Sequence, residues 1–175
     1  MKQLSQRKKD LIKWTLYALI LFLAFILQTT PGFLELFGVK PVLILPVILS
    51  IAMFEGEWAG GVYGVVGGLF WDTAADRLLG FNAILMLIAC VITGLLVMYL
   101  IRAKIWNSLL IVLSAALLQG LIDYFFYYLI WDYDFSYLIL LKRVLPTAVF
   151  TTVISPLFFY LIRKISYSLS EVERV

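Results

Sequence analysis

An all-α integral membrane protein, with six transmembrane helices and both termini in the cytoplasm, is the fold this sequence predicts. Three observations lead there. First, 63% of the 175 residues are hydrophobic and 14% are charged, whereas a soluble domain is about 45–50% apolar. Second, the basic residues gather beside the apolar runs and mostly on one side of them. Third, Gly56, Gly60, Gly64 and Gly68 step by four towards Asp72 and then Asp76. In water each helical glycine costs about 0.8–1 kcal/mol relative to alanine. In lipid the backbone must stay hydrogen-bonded, so the helix persists and missing side chains let a neighbouring helix come close. The ladder is therefore a packing seam, for the chain's own helices or for a partner, with an acid at its end.

The spans follow in order as one membrane domain over residues 1–175. Lys2, Arg7, Lys8, Lys9 and Lys13 precede a run over 11–30, long enough at ~1.5 Å per residue to cross ~30 Å of hydrocarbon. A run this long, with no small-residue cleavage site, is not the apolar core of a signal peptide. Gln28-Thr29-Thr30-Pro31 closes it. Pro41 opens the second span, 40–54, because a first-turn proline lacks only an N–H that has no partner there. Glu55-Gly56-Glu57 turns the chain into the third, 57–75. These two are short, and a re-entrant hairpin would return the chain to the same side. Leu78-Leu79-Gly80 leads to the fourth, 81–101, closed by Arg102 and Lys104. The fifth covers 105–131, Asp132-Tyr133-Asp134 turns, and the sixth covers 137–162. Pro146 and Pro156 are expected kinks there, Arg163-Lys164 the stop, and the tail is short and polar.

Orientation comes from Lys and Arg. Lys2, Arg7, Lys8, Lys9, Lys13, Arg102, Lys104, Arg163, Lys164 and Arg174 share one side; Lys40, Arg77, Lys142 and Arg143 share the other. The positive-inside rule puts the first set, and both termini, in the cytoplasm. Trp14, Trp58, Trp71, Trp106 and Trp131 all fall at predicted helix ends, where an aromatic belt belongs.

Few polar groups lie within the spans. Asp123 sits ~12 Å below the outer end of span five by helical rise. Lys142 and Arg143 enter span six from the same face, and Asp72 approaches it at the end of span three. An acid at a helix C-terminus opposes the macrodipole and wants a cation or a hydrogen-bond donor. The expectation is an outer-half cluster of Asp72, Asp123, Arg143 and Lys142, with Gln119 and Asn82 as further members.

Enzyme chemistry finds little support. With no histidine, His-assisted nucleophiles and His-liganded metals are excluded. The single cysteine, Cys90, leaves no internal disulfide. Gly68-x3-Asp72-x3-Asp76 resembles half of the CDP-alcohol phosphotransferase signature. The other half would need Asp, Gly, Ala and Arg where Phe54, Glu55, Trp58 and Ala59 stand, and hard-cation binding needs the full oxygen set. No catalytic, cofactor or metal residues are assigned. The net charge of +3 calls for no nucleic acid.

An ordered series of motifs resembles the MreD family of bacterial rod shape-determining membrane proteins. It comprises Gln28-x-x-Pro31, Lys40-Pro41-Val42-Leu43, Gly64-x3-Gly68-Leu69-x2-Asp72 with Leu79-Gly80, Asp123, and Pro156 before Arg163-Lys164. Val42 departs from the family, which commonly has Asp or Asn there. The resemblance implies a non-enzymatic inner-membrane scaffold of the cell-elongation complex. Its implied partners are MreC, MreB, a RodA-like glycosyltransferase and a penicillin-binding transpeptidase, with a homodimer through the ladder as a further expectation. It also implies the fold of the substrate-binding components of energy-coupling-factor transporters. The alternative function is therefore a vitamin-type binding subunit, although Ala18 followed by Phe22 breaks the Ala-x3-Ala motif common in span one of those proteins.

Overall fold

The computed structural model describes residues 2–35, 38–74, 78–126 and 140–169, with side chains from Lys8 onward. Asp76, Arg77, Trp131, the turn at 132–134 and the start of the sixth span at Tyr137 lie outside these residues. Among the described residues there are six α-helices and no strand: α1 (Lys2–Thr29), α2 (Ile44–Glu55), α3 (Glu57–Ala74), α4 (Phe81–Tyr99), α5 (Ile105–Tyr124) and α6 (Leu145–Leu169). A π-helical turn, Leu140–Val144, leads into α6.

The bundle has an apolar core like a soluble protein, but its outside is apolar too. Ile84, Ile88 and Ile92 of α4 and Val149, Val153 and Leu157 of α6 are exposed, while Asp72, Asn82, Gln119 and Thr151 are buried. Water would not tolerate apolar faces this extensive on a monomer; hydrocarbon is the matching solvent. Among the described residues four segments are long and apolar enough to cross a membrane: Lys8–Thr29, Phe81–Tyr99, Ile105–Tyr124 and Leu140–Leu169.

The second helix is different in kind. It has 12 residues, and every one from Ile44 to Met53 is buried. At ~1.5 Å per residue it measures ~18 Å, so it does not cross ~30 Å of hydrocarbon by itself. It is the core, touching α1, α3, α4, α5 and α6. The expected span from residue 40 is shortened because residues 38–43 are not helical. Irregular backbone at this depth needs partners from the protein. Val42 N–H donates to Thr151 Oγ1 at 2.9 Å, and Ile44 N–H donates to Gln28 Oε1 at 3.1 Å. Side chains of α6 and α1 thus cap a helix whose own N-cap, Leu43, offers nothing.

Two ends also depart from expectation. The last helix continues past Arg163-Lys164 to Leu169, because Ile162 and Ser166 prolong its buried stripe by one turn. Pro156 lies inside it without ending it. Proline removes the N–H that would bond the carbonyl four residues back, and here Ser155 Oγ donates to that Thr152 carbonyl at 2.8 Å.

The glycine ladder winds, as a step of four must around a 3.6-residue helix. A Cβ on Gly60 would overlap Ala52 of α2; on Gly64 it would lie 2.8 Å from the Met86 carbonyl of α4; on Gly68 it would overlap the Ala83 backbone. Gly61 and Gly67, off the ladder, complete the two seams. Gly61 faces Leu87 and Val91 of α4, and Gly67 faces Ile44 and Ile48 of α2. Gly56 is a correction to the expected seam. At φ 88° it forms the turn after α2, and a Cβ there would meet nothing within 4 Å.

Candidate functional site: two polar joints and a charged cavity

At the α3–α4 end of the bundle, Asp72 is 1% exposed near the C-terminus of α3. Its carboxylate opposes the dipole of its own helix but lies at the N-terminus of α4, where backbone N–H groups have no intrahelical partner. Gly80 N–H donates to Oδ2 at 2.8 Å, while Asn82 N–H and Nδ2 donate to Oδ1 at 3.1 and 2.9 Å. Gly80 adopts the left-handed conformation that starts α4 and provides no side-chain cap, so Asp72 caps the helix across the turn. Gln119 Nε2 of α5 then donates to Asn82 Oδ1 at 3.1 Å. Asp72, Asn82 and Gln119 form a chain through α3, α4 and α5. The close approach of Gly68 to Ala83 brings α3 near enough for this.

The expected meeting of Asp72 with Arg143 is therefore corrected: backbone and amide donors satisfy the acid, and no cation is needed. Asp123 and Arg143 stand together elsewhere, on the wall of a neighbouring cavity of about 560 Å³. Glu35 and Lys40 (3.6 Å apart), Gln28, Trp71 and Gln119 also line it. Lys142 is exposed on the π-helical turn and does not line it. Gln119 is the link, reaching both the Asp72 chain and the cavity.

The opposite end of the bundle holds a joint that sequence reasoning missed. Glu55, the last residue of α2, accepts from Lys13 Nζ (2.8 Å), Tyr17 Oη (2.8 Å) and Ser166 Oγ (2.8 Å). The Lys13 and Glu55 side chains are each 9% exposed. Around them Trp14 stacks on Tyr63 at 6.2 Å, Lys13 Nζ lies 4.9 Å from the Trp14 ring centre, and Tyr63 Oη donates to the Trp14 carbonyl. Helices α1, α2, α3 and α6 meet here. A signal for it was available: an acid ending a helix that is apolar but for Ser50 opposes the dipole, and Lys13 and Tyr17 are one turn apart on a single face.

Among the described residues no group of three or more His, Cys, Asp or Glu is placed to hold a metal ion. Cys90 is buried against Gly64.

These features define an all-helical integral membrane protein whose buried polar groups tie helix to helix. A family model described as rod shape-determining protein MreD matches residues 8–166, nearly the whole chain. The chain belongs to that family of rod shape-determining membrane proteins. Neither a search of curated proteins nor a search of solved structures finds a match.

Proposed function

We propose that the protein is a non-enzymatic scaffold of the bacterial cell-elongation complex, seated in the inner membrane and binding MreC. In this reading MreB, a RodA-like glycosyltransferase and a penicillin-binding transpeptidase complete the assembly. The carrying observation is the family match over residues 8–166, joined to the use of the buried polar groups. Asp72 and Glu55 are engaged in holding helices together, while the outward faces of α1, α4 and α6 are apolar surfaces suited to partner helices.

The same proposal gives six membrane segments with both termini cytoplasmic and the fold of energy-coupling-factor binding components. The central α2 then completes its crossing through the capped backbone of residues 38–43. With Gly60, Gly64 and Gly68 turned towards α2 and α4, partners meet other faces than the ladder. The test is purification of the detergent-solubilised protein from a rod-shaped host, with MreC as the readout. Stoichiometric MreC, and round cells on depletion, are expected; rod-shaped depleted cells without MreC in the preparation would sink the scaffold reading.

A further inference from the structure

Helices α4 and α5 are tied at their two ends and part between them. At one end the 100–104 connection joins them directly. At the other, Gln119 Nε2 donates to Asn82 Oδ1 at 3.1 Å, and the Phe81 and Phe126 rings meet edge to face at 5.4 Å. Along the middle they barely touch, while the glycines draw α4 tightly onto α3. The gap is an apolar groove of about 310 Å³, floored by Leu45 and Met86 and walled by Ala89, Ile92, Leu110 and Ala115.

Size and polarity decide what fills it. A pocket lined by such side chains stays dry and takes apolar guests. Along α5 its lining runs from Leu110 to Ile122, about 18 Å by helical rise. Spread over that length, 310 Å³ gives a mean cross-section of roughly 17 Å², against roughly 80–110 Å² for an α-helix with its side chains. One hydrocarbon chain fits within it and a helix does not.

Charge decides which chain. The groove face can be followed along both helices in steps of seven residues, which drift only ~20° each. On α4, Leu85 and Ile92 line the groove and Tyr99 comes next; on α5, Leu118 and Ile111 line it and Lys104 comes next. Both stripes therefore leave the groove at the 100–104 connection, with Arg102 between them. Arg102 and Lys104 are exposed, and among the described residues neither is in an ion pair. The connection is held in shape, because Lys104 N–H and Asn107 Nδ2 both donate to the Arg102 carbonyl at 2.8 Å. No acid occurs anywhere from residue 78 to residue 122. Glu57, at the same end of the bundle, packs against Gly94, about half a helical turn round α4 from the groove-lining Ile92 and Leu96. An anionic head here meets cations alone. Exposed Trp106 beside it marks the headgroup level.

We propose that one anionic glycerophospholipid is seated between α4 and α5, its phosphate held by Arg102 and Lys104 and one acyl chain filling the groove. The proposal rests on membrane placement and not on the scaffold reading, so absence of MreC from a preparation has no bearing on it.

The test is native mass spectrometry of the full chain released from vesicles of equimolar phosphatidylglycerol, phosphatidylethanolamine and a polyprenyl phosphate. One retained phosphatidylglycerol is expected. Arg102→Gln/Lys104→Gln should weaken its retention about thirtyfold, the equivalent of about 1 kcal/mol for each cation. Lys164→Gln, which removes an exposed cation from α6, should leave retention unchanged. Ala89→Phe, which fills the groove, should lower occupancy about tenfold, a difference of about 1.4 kcal/mol. Ser114→Phe, at the groove's exposed rim, replaces Ala89→Phe if that variant fails to elute as a folded species. Equal retention of the three lipids, preference for the polyprenyl phosphate, undiminished retention in a folded groove variant, or a loss from Lys164→Gln as large as from the double variant would each overturn the proposal. So would a dimer that Ala89→Phe abolishes, since a second copy would then occupy the groove.

Discussion

The two polar joints hold the same kind of group, a buried carboxylate at the C-terminal end of a helix, and satisfy it by opposite means. Asp72 takes neutral donors from the start of the next helix, eight and ten residues on. Glu55 takes an ammonium and two hydroxyls from helices 42, 38 and 111 residues away. The first joint forms within one hairpin, and its strength comes from a helix N-terminus that would otherwise have idle N–H groups. The second cannot form until both ends of the chain are in place. An acid in a low-dielectric interior is tolerated either way, but only the second arrangement couples the beginning of the chain to its end.

The sharpest way to break this comparison is to remove one partner of the ion pair. Lys13→Met leaves Glu55 buried beside hydroxyls alone, and loss of one member of a buried pair costs about 3–5 kcal/mol. Thermal or denaturant unfolding in detergent should show that loss. The double variant Lys13→Met/Glu55→Leu should recover much of it, since an apolar replacement of both partners is near neutral. Equal stability of the single variant and the wild type would mean that the Glu55 joint is solvated rather than buried.

Asp72→Asn comes next. The amide can keep one acceptor for Asn82 but turns donors towards Gly80 N–H, and hydrogen bonds to a charged group contribute about 1.5–3 kcal/mol. The loss should appear as faster cleavage or exchange at the α3–α4 turn, with α1 and α6 unaffected. Simultaneous loosening of α1 would show that the two joints are not independent. The smallest effect belongs to Ser155→Ala, which frees the Thr152 carbonyl beside Pro156. The cost of about 0.5–1.5 kcal/mol should be read as a small drop in midpoint with the Glu55 joint intact; a change as large as that of Lys13→Met would be inconsistent with a local role.

What was legible in the sequence follows the range of each interaction. The apolar runs marked where helices lie, because exclusion of polar atoms from lipid is a property of each segment alone, but not their ends: α2 begins at Ile44 rather than 40 and α6 runs to Leu169 rather than 162. The step of four from Gly60 to Asp72 marked a close approach, because spacing along one helix is visible in sequence, but it included Gly56, which is a turn, and did not reveal what Asp72 bonds to. Asn82 and Gln119 were reachable only as polar residues at matching depth, with nothing to rank them above Arg143. The ranking came from the N-terminus of α4, whose unpaired N–H groups are backbone and leave no trace in composition. Glu55 stayed hidden in a charged turn where a solvated acid is ordinary. Its partners required knowing that α1 and α6 flank α2.

The central helix carries a consequence for how the chain is made. A segment of 12 residues, ~18 Å long, is a poor substrate for independent insertion into a bilayer ~30 Å thick, and the backbone before it is acceptable in lipid only once Gln28 and Thr151 have closed on it. Thr151 is made more than a hundred residues later. Until α6 arrives, the Val42 N–H lacks the Thr151 hydroxyl that it bonds in the finished fold. Defects in the last helix should therefore surface as early degradation of nascent chains rather than as a finished protein that works poorly.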